Sequence, residues 1–296
     1  MRHSRLADSM LPSRPSETGS EVVSTMTSPN PSSQHESEES LTQAVARVMG
    51  EADDWKRIMS LDGDASIKVF LDMKSPHAYI AVRPSLELAR DFRVRLDFCP
   101  YTLSYIGMGI STSVEKDERR PPSPEADRRA RMFYAAARQY TRLQRIPLRS
   151  PYRLLDAQLA HKAFLFAKKQ ALEIPFMMSV CLRGWGSGWR DIEIESLDEM
   201  RNTLRDLGAD VDGLEAFVAP DGPGQHELVQ CMEDAHANGF VGTPHYVFED
   251  FETGRTVGLF GREHLALIRS KLAIQGLARD SSVSADFSHA WRGPGT

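Results

Sequence analysis

Ser75 and Pro76 stand directly after a short apolar run, and their types suit chemistry at the start of a helix. Serine is a preferred N-cap and proline a preferred first helical residue, so the pair could simply begin a helix. A helix start also presents free N–H groups and a partial positive charge, and a sulfur placed there has its thiolate stabilised. The pair therefore predicts either a plain helix cap or a place for a thiolate.

Hydrophobic spacing predicts the elements that position this pair. Short apolar runs indicate strands, and apolar residues three and four apart indicate helices. The predicted strands are residues 67–71, 94–98, 245–248 and 255–260, and the helices beside them are residues 76–90 and 262–274. The first two strands and the helix between them form a right-handed unit with parallel strands. The last two strands flank a turn at Gly254 and form a hairpin.

The middle of the chain has helical spacing and few strand patterns. The predicted helices are residues 130–143, 154–172, 174–182, 200–207 and 213–218. Residues 115–127 before them are charged and rich in proline, which predicts an exposed loop. The order of elements therefore predicts the α/β class, with a thioredoxin-like fold that carries a large helical insertion at residues 115–235.

The two ends of the chain are predicted to be tails. Residues 1–40 are rich in serine and proline, so they cannot bury enough apolar surface to offset the entropy of ordering. We predict a disordered tail at residues 1–40, an added helix within 41–62, the thioredoxin-like domain at 63–280 and a second disordered tail at 281–296. Residues 1–40 also lack the apolar core of a secretory signal, so a cytoplasmic location is expected.

Composition argues against several classes of partner. The net charge is −5, which provides no global basic footprint for nucleic acid, and no apolar run is long enough to span a membrane. The three cysteines are Cys99, Cys181 and Cys231. They lie far apart in sequence and form no CxxC pair for redox work or a metal, so they are predicted to be reduced and mostly buried.

Four segments together resemble a known branch of thioredoxin-like proteins. Residues 71–79 (LDMKSPHAY) resemble the FDxxSPxAY run of the 2-hydroxychromene-2-carboxylate isomerases and kappa-class glutathione transferases, in which serine replaces the first cysteine of a DsbA-type CPHC motif. The segments that resemble other motifs of the branch are residues 183–192 (RGWGSGWRDI), 238–244 (NGFVGTP) and 259–265 (LFGREHL). Coverage runs from residue 66 to residue 275.

The resemblance implies glutathione as the cofactor and Ser75 as the catalytic residue, which donates its O–H to the glutathione thiolate. Pro76 would begin the helix at that thiolate. Thr243 and Pro244 would form a cis-proline loop whose backbone pairs with the cysteinyl part of glutathione, as in strand addition. An ordinary trans proline is the alternative at this loop.

Further glutathione contacts are implied for Arg262, Glu263 and Arg131. Free N–H groups after Gly261 could hold the γ-glutamyl carboxylate, and Glu263 could accept from its ammonium group. A helix start with a favourably placed acid is the alternative for Glu263, and a solvated face is the alternative for Arg131. His77 and Lys74 are weaker candidates.

The resemblance implies an enzyme that isomerises an aromatic or conjugated carboxylate through reversible addition of the glutathione thiolate. A kappa-class-like glutathione transferase is one alternative, and a non-catalytic thioredoxin-fold binding protein is another. Ala136 and Gln139 stand where the family usually has Asp and Arg, which favours the non-catalytic alternative. The implied partners are a small aromatic substrate and a second copy of the chain. Trp185 and Trp189 could line a pocket for the substrate or pack in the core.

Overall fold

Four strands form one mixed sheet in the order β2-β1-β3-β4. A computed structural model describes residues 40–108 and 124–289 of the chain. The strands are β1 (Ala65–Leu71), β2 (Val94–Pro100), β3 (His245–Asp250) and β4 (Arg255–Phe260). β1 pairs parallel with β2 and antiparallel with β3, and β3 pairs antiparallel with β4. This topology is the predicted thioredoxin-like arrangement.

Eleven α-helices occur among the described residues. They are α1 (Leu41–Met49), α2 (Ala52–Met59), α3 (Pro76–Tyr79), α4 (Val82–Asp91), α5 (Pro124–Gln144), α6 (Gln158–Lys168), α7 (Glu173–Ser187), α8 (Leu197–Asp206), α9 (Leu214–Val218), α10 (Pro223–Ala237) and α11 (Leu265–Ile274). A single 3₁₀ turn, Arg262–His264, precedes α11. Within these residues, no helix is both long enough and apolar enough to cross a bilayer.

The side chains of β1 alternate between two faces of the sheet, and each face has its own apolar cluster. Ile67, Val69 and Leu71 belong to the larger cluster, which also contains buried residues of α4, α7 and α11. Phe70 points to the other face and packs with Cys99 and with Ala235 of α10. Both faces of the sheet are therefore covered, as a thioredoxin-like fold requires.

The helix predicted at residues 76–90 is interrupted between α3 and α4. Pro84 lacks an N–H, so it cannot donate to the carbonyl of Ile80 four residues earlier. That carbonyl instead accepts from Gln144 Nε2 at 2.7 Å and from Arg262 Nε at 3.3 Å. Because of this break, the Ile80 carbonyl is free to bond to Gln144 of α5 and to Arg262 of the turn before α11, close to Ser75 in the chain.

Three other regions of the chain differ from the prediction. The helical spacing that begins at residue 41 is divided between α1 and α2, because α1 ends at the cap residue Gly50. Residues 124–127 of the predicted loop form the first turn of α5, where Glu125 and Asp127 suit the helix N-terminus. The sequence did not predict α10, whose few buried residues give little helical periodicity.

Part of the predicted C-terminal tail packs on the domain. Phe287 contacts the larger cluster, and the Arg269 guanidinium donates to the Ser284 carbonyl at 2.7 Å. The Arg262 guanidinium donates to the carbonyl of His289 at 2.6 Å. Buried arginines therefore attach residues 281–289 to the domain. The predicted tail at residues 1–39 and the end of the C-terminal tail at residues 290–296 lie outside the described residues.

Candidate functional site around Ser75

Ser75 is the N-cap of α3, at the end of β1, and its side chain is buried. Its Oγ accepts a hydrogen bond from the Ala78 N–H at 3.3 Å. A serine hydroxyl can donate one hydrogen bond while it accepts others. Within the described residues no acceptor takes the Ser75 O–H proton. The hydroxyl can therefore cap the helix and still donate to a ligand.

The backbone donors in the first turn of α3 are nearly all used. Pro76 has no N–H, and the amides of Ala78 and Tyr79 both bond to Ser75. The His77 N–H has no partner among the described residues. Because α3 is only four residues long, individual donors matter more here than a long helix dipole. An anion at this turn would meet two donors, the Ser75 O–H and the His77 N–H.

A buried charged network lies directly behind Ser75. The Asp72 side chain has no exposed area, and its carboxylate accepts from the Lys74 N–H at 2.9 Å and the Leu103 N–H at 2.7 Å. The Lys74 side chain is only 6% exposed, and its ammonium lies 3.4 Å from this carboxylate and donates to the Leu103 carbonyl. Its charge also lies 4.5 Å from the centre of the Tyr105 ring. Lys74 is thus a buried ion-pair partner of Asp72.

His161 of α6 completes the network. Its Nε2 accepts from the Met73 N–H at 3.2 Å and lies 3.4 Å from an Asp72 oxygen. Its Nδ1 is 2.7 Å from Thr102 Oγ1. The ring therefore ties the residues before Ser75 to the loop after β2 and to the helical insertion.

Two opposing effects set the pKa of Asp72. Complete burial disfavours the charged carboxylate and would raise the pKa. The positive charge of Lys74, the contact with His161 and the Leu103 N–H outweigh burial, and the pKa lies below its ordinary value. Asp72 is therefore ionised at neutral pH, and its negative charge is compensated within the network.

The peptide bond between Thr243 and Pro244 is cis, which confirms the predicted geometry. Phe70 of β1 pairs with His245 of β3, which places this loop beside the end of β1. Ser75 follows that end of the strand. Among the described residues, the Thr243 N–H and C=O have no hydrogen-bond partner, and the buried Thr243 Oγ1 also has none. The loop thus offers a free backbone donor and acceptor next to the Ser75 turn.

Arg262 and Glu263 also lie at this end of the sheet, but their side chains have different surroundings. The Gly261 N–H donates to the Pro244 carbonyl at 2.9 Å, which joins the two loops. The Arg262 guanidinium is buried against Ile80 and His289 and lies 4.0 Å from the centre of the Tyr140 ring. Those contacts leave its backbone N–H, not its charge, for a ligand. The Glu263 side chain is exposed.

Arg131 lies apart from this group. It sits on α5, its side chain is 79% exposed, and its guanidinium pairs with Asp127 at 2.7 Å. His77 also faces α5, where its Nε2 is 3.2 Å from the Phe133 carbonyl. Burial lowers the pKa of His77, which keeps the ring neutral at neutral pH. The structure therefore brings Ser75, Pro76, Thr243, Pro244 and Glu263 to one end of the sheet.

Trp185 and Trp189 pack in the core. Both indoles are buried, and their ring centres lie 5.2 Å apart in an edge-to-face contact. Gly184 makes room for this pair, because a Cβ at residue 184 would lie 2.6 Å from the Trp189 ring. The core-packing alternative for the two tryptophans is the one observed.

We expect Gly184→Ala to lower the free energy of unfolding. Overpacking a core costs about 1–3 kcal/mol, and the better helix propensity of alanine recovers up to about 1 kcal/mol. Gly50→Ala is a matched control, because the nearest atoms to a Cβ there are carbonyl oxygens at an ordinary 3.4 Å. Urea unfolding of both variants measures the difference. Equal stabilities would show that Trp189 moves aside without cost.

A cavity of about 360 Å³ opens beside Lys74. Leu155, Leu228 and Met232 contribute apolar walls, and Gln158 and Gln225 contribute polar groups. The cavity lies between the loop after β2, α6 and α10. Cavities with apolar walls and a few polar groups are the usual form of small-molecule sites.

Sequence inspection missed much of this arrangement. Asp72 stood inside the quoted motif, and its acidic side chain directly after an apolar strand was a usable signal. His161 gave no signal, because it lies in an apolar helix 86 residues from Ser75 and contacts the site only through the fold.

Comparison with known proteins agrees with this architecture. A family model described as the DSBA-like thioredoxin domain matches residues 66–273. A solved 2-hydroxychromene-2-carboxylate isomerase is similar with a TM-score of 0.54 and 17% identity, and the match covers 71% of this chain and 96% of that one. A probable DsbA oxidoreductase from Streptomyces coelicolor is similar with a TM-score of 0.53 and 13% identity, over 71% of this chain and 91% of that one.

At these identities the likeness to solved structures establishes the fold alone. No curated protein matches the chain. The family match spans β1 through most of α11 and so includes the Ser75 turn, the helical insertion and the cis-proline loop. The chain therefore belongs to the DSBA-like thioredoxin domain family.

Proposed function

We propose that the protein is a glutathione-dependent isomerase that acts on an aromatic or conjugated carboxylate of the 2-hydroxychromene-2-carboxylate type. The glutathione sulfur would sit at the first turn of α3, where the Ser75 O–H and the His77 N–H both lack partners among the described residues. Two donors aimed at one anion stabilise a thiolate and lower the pKa of its thiol.

The observation that carries this proposal is the free backbone at Thr243. A backbone N–H and C=O left unpaired beside a sheet can add the backbone of a bound peptide as a short extra strand. Glutathione is such a peptide, and with the register of β1 and β3 its cysteine would lie near Ser75. The backbone N–H groups after Gly261 and the exposed Glu263 carboxylate would take its γ-glutamyl end.

The proposed reaction needs no redox change. The thiolate adds to a carbon of the conjugated double bond, a C–S bond forms, and the π electrons move toward the carbonyl group. The former double bond is then a single bond that rotates. Expulsion of the thiolate breaks the C–S bond and restores the double bond in the other geometry. The cavity beside Lys74 is the proposed place for the aromatic part, because its walls combine leucine and methionine with two glutamines.

A turnover assay tests the proposal. The full chain is incubated with 2-hydroxychromene-2-carboxylate and substoichiometric glutathione, and both isomers and free thiol are followed. The proposal predicts many turnovers per glutathione with no loss of thiol. Loss of one thiol per product would instead indicate a kappa-class-like transferase, and absence of glutathione binding would indicate a non-catalytic binding protein. A cytoplasmic location and a homodimer are further implications of the same resemblance.

A further inference from the structure

Cys99 and Cys231 meet between the sheet and α10, although 131 residues separate them in the chain. Cys99 pairs across the sheet with Phe70, and both are buried in the cluster on the α10 face. Cys231 lies one helical turn before Ala235, which is buried in the same cluster. Residues four apart share a helix face, so Cys231 points at the sheet.

Cys231 packs against the cluster that contains Cys99, and the Cys99 S–H donates to the Asp97 carbonyl, whose oxygen lies 3.7 Å from the sulfur. Cα atoms of α10 come within 8 Å of those of β2. A disulfide normally spans Cα atoms about 4.4–6.8 Å apart, so the bond would require the Cα atoms of residues 99 and 231 to lie within that range. All three cysteines of the chain are free thiols. The prediction that the cysteines are reduced agrees with this, and the fold brings two of them into one cluster although they lie far apart in sequence.

Charged groups surround this pair on three elements. The Lys168 ammonium of α6 bonds to the Asp97 carboxylate and, at 2.7 Å, to the Phe98 carbonyl of β2. Lys68 of β1 pairs with Asp234 of α10 at 2.5 Å. The S–H of Cys99 and the nearby Lys168 charge hold the pKa of Cys231 below its usual value, while the contact with Cys231 and burial raise that of Cys99. The partly exposed sulfur is therefore the better nucleophile.

We propose that Cys99 and Cys231 form a reversible disulfide when the protein meets a hydroperoxide, a redox site separate from the Ser75 turn. Part-exposed Cys231 is the attacking residue, and buried Cys99 is the resolving residue. The two thiols lie between the sheet and α10. At the two positions where a DsbA-type CPHC motif has cysteines, this chain has Ser75 and Ala78. It does not depend on the proposed isomerase function.

The chemistry balances with hydrogen peroxide as the oxidant. The Cys231 thiolate attacks one peroxide oxygen, an S–O bond forms, the O–O bond breaks, and hydroxide leaves and takes a proton to become water. The Cys99 sulfur then attacks the Cys231 sulfur. An S–S bond forms, the S–O bond breaks, and the departing hydroxide takes the Cys99 proton. Two thiols and one peroxide give one disulfide and two waters, and two molecules of a reduced thiol reverse the change.

Peptide mapping of the full chain tests the proposal. The protein is treated with equimolar hydrogen peroxide, remaining thiols are alkylated, and the protein is digested without reductant. The expected product is a peptide that links residues 99 and 231 within one chain, while Cys181 is alkylated. Excess reduced glutathione should restore both thiols. Wild-type protein alone decides this outcome, so it does not rely on a variant that folds.

Variants then assign the two roles. Cys231→Ser should slow thiol loss to peroxide by at least about tenfold, because it removes the favoured thiolate. Cys99→Ser should leave Cys231 as a sulfenic acid that dimedone traps. Cys181→Ser is the matched control and should oxidise like the wild type, since Cys181 is buried in the larger cluster and Cys99 in the other one. The proposal would be overturned if peroxide overoxidised Cys231 in wild-type protein while the Cys99 thiol remained free for alkylation. A disulfide between two chains would also overturn it.

Discussion

Asp72→Ala is expected to lower the free energy of unfolding by about 3–5 kcal/mol, the cost of removing one partner from a buried ion pair. The Lys74 side chain is 6% exposed, and its ammonium would lose its compensating charge. The amide groups of Lys74 and Leu103 would each lose an acceptor as well. Chemical unfolding monitored by circular dichroism measures the change.

Two comparisons isolate the buried charge as the cause. Asp53→Ala removes an acid whose side chain is 99% exposed, and its effect should stay within about 0.5 kcal/mol. Adding Lys74→Met to Asp72→Ala should recover part of the loss, because no unpaired charge is then buried. If Asp72→Ala and Asp53→Ala were equally stable, the network would have no structural role.

The same carboxylate makes stability depend on pH. The pKa of Asp72 in the folded protein lies below its ordinary value of 3.8, so the folded state favours the ionised form. Its contribution is present above about pH 4 and is lost as pH falls through the folded pKa. The difference in stability between wild type and Asp72→Asn should therefore shrink as acid is added. A difference that stays constant from neutral pH to pH 3 would contradict this assignment.

Ser75→Ala is expected to reduce turnover of the proposed isomerase by at least about tenfold. Loss of one donor to an anion at a catalytic site typically costs about 10²–10³ in rate, and less where another donor shares the charge. Here the His77 N–H would share it. Stability should fall only by the loss of a helix cap, roughly 0.5–2 kcal/mol. Steady-state kinetics and thermal unfolding of the same preparation measure the two effects.

Ser196→Ala provides the matched control for that variant. Ser196 caps α8 by accepting from the Glu199 N–H at 3.3 Å, the same distance as between Ser75 Oγ and the Ala78 N–H. Both variants should lose a similar amount of stability, and only Ser75→Ala should lose activity. Equal turnover in the two variants would make Ser75 a structural cap alone.

Local patterns predicted the sheet well because its strands are short apolar runs bounded by clear breaks. The cap at Ser75 was also predicted, since serine followed by proline is a local signal. The cis bond before Pro244 was expected from the family resemblance and the position of the proline before the third strand, not from local pattern alone. The interruption after α3 was not predicted, although Pro84 supplies its cause. A helical spacing of apolar residues persists across a break in the hydrogen bonds, so the pattern alone did not reveal it.

Long-range contacts account for the rest. The pairing of Asp72 with Lys74 is local, but the contacts with Leu103 and His161 exist only once β1, the loop after β2 and α6 assemble. The sequence did not show that the Arg262 guanidinium donates to the carbonyls of Ile80 and His289. Cys99 and Cys231 become neighbours only when α10 packs on the sheet. No spacing rule reports such pairs before the fold is known.

The thiol pKa of bound glutathione tests the central claim most directly. Ultraviolet absorbance of the thiolate is followed during pH titration of the complex with wild type and with Ser75→Ala. The account predicts that the bound thiol has a lower pKa than free glutathione, and that Ser75→Ala moves it back toward the free value. An identical pKa in both complexes, or no binding of glutathione to the wild type, would contradict the claim that Ser75 stabilises a borrowed thiolate.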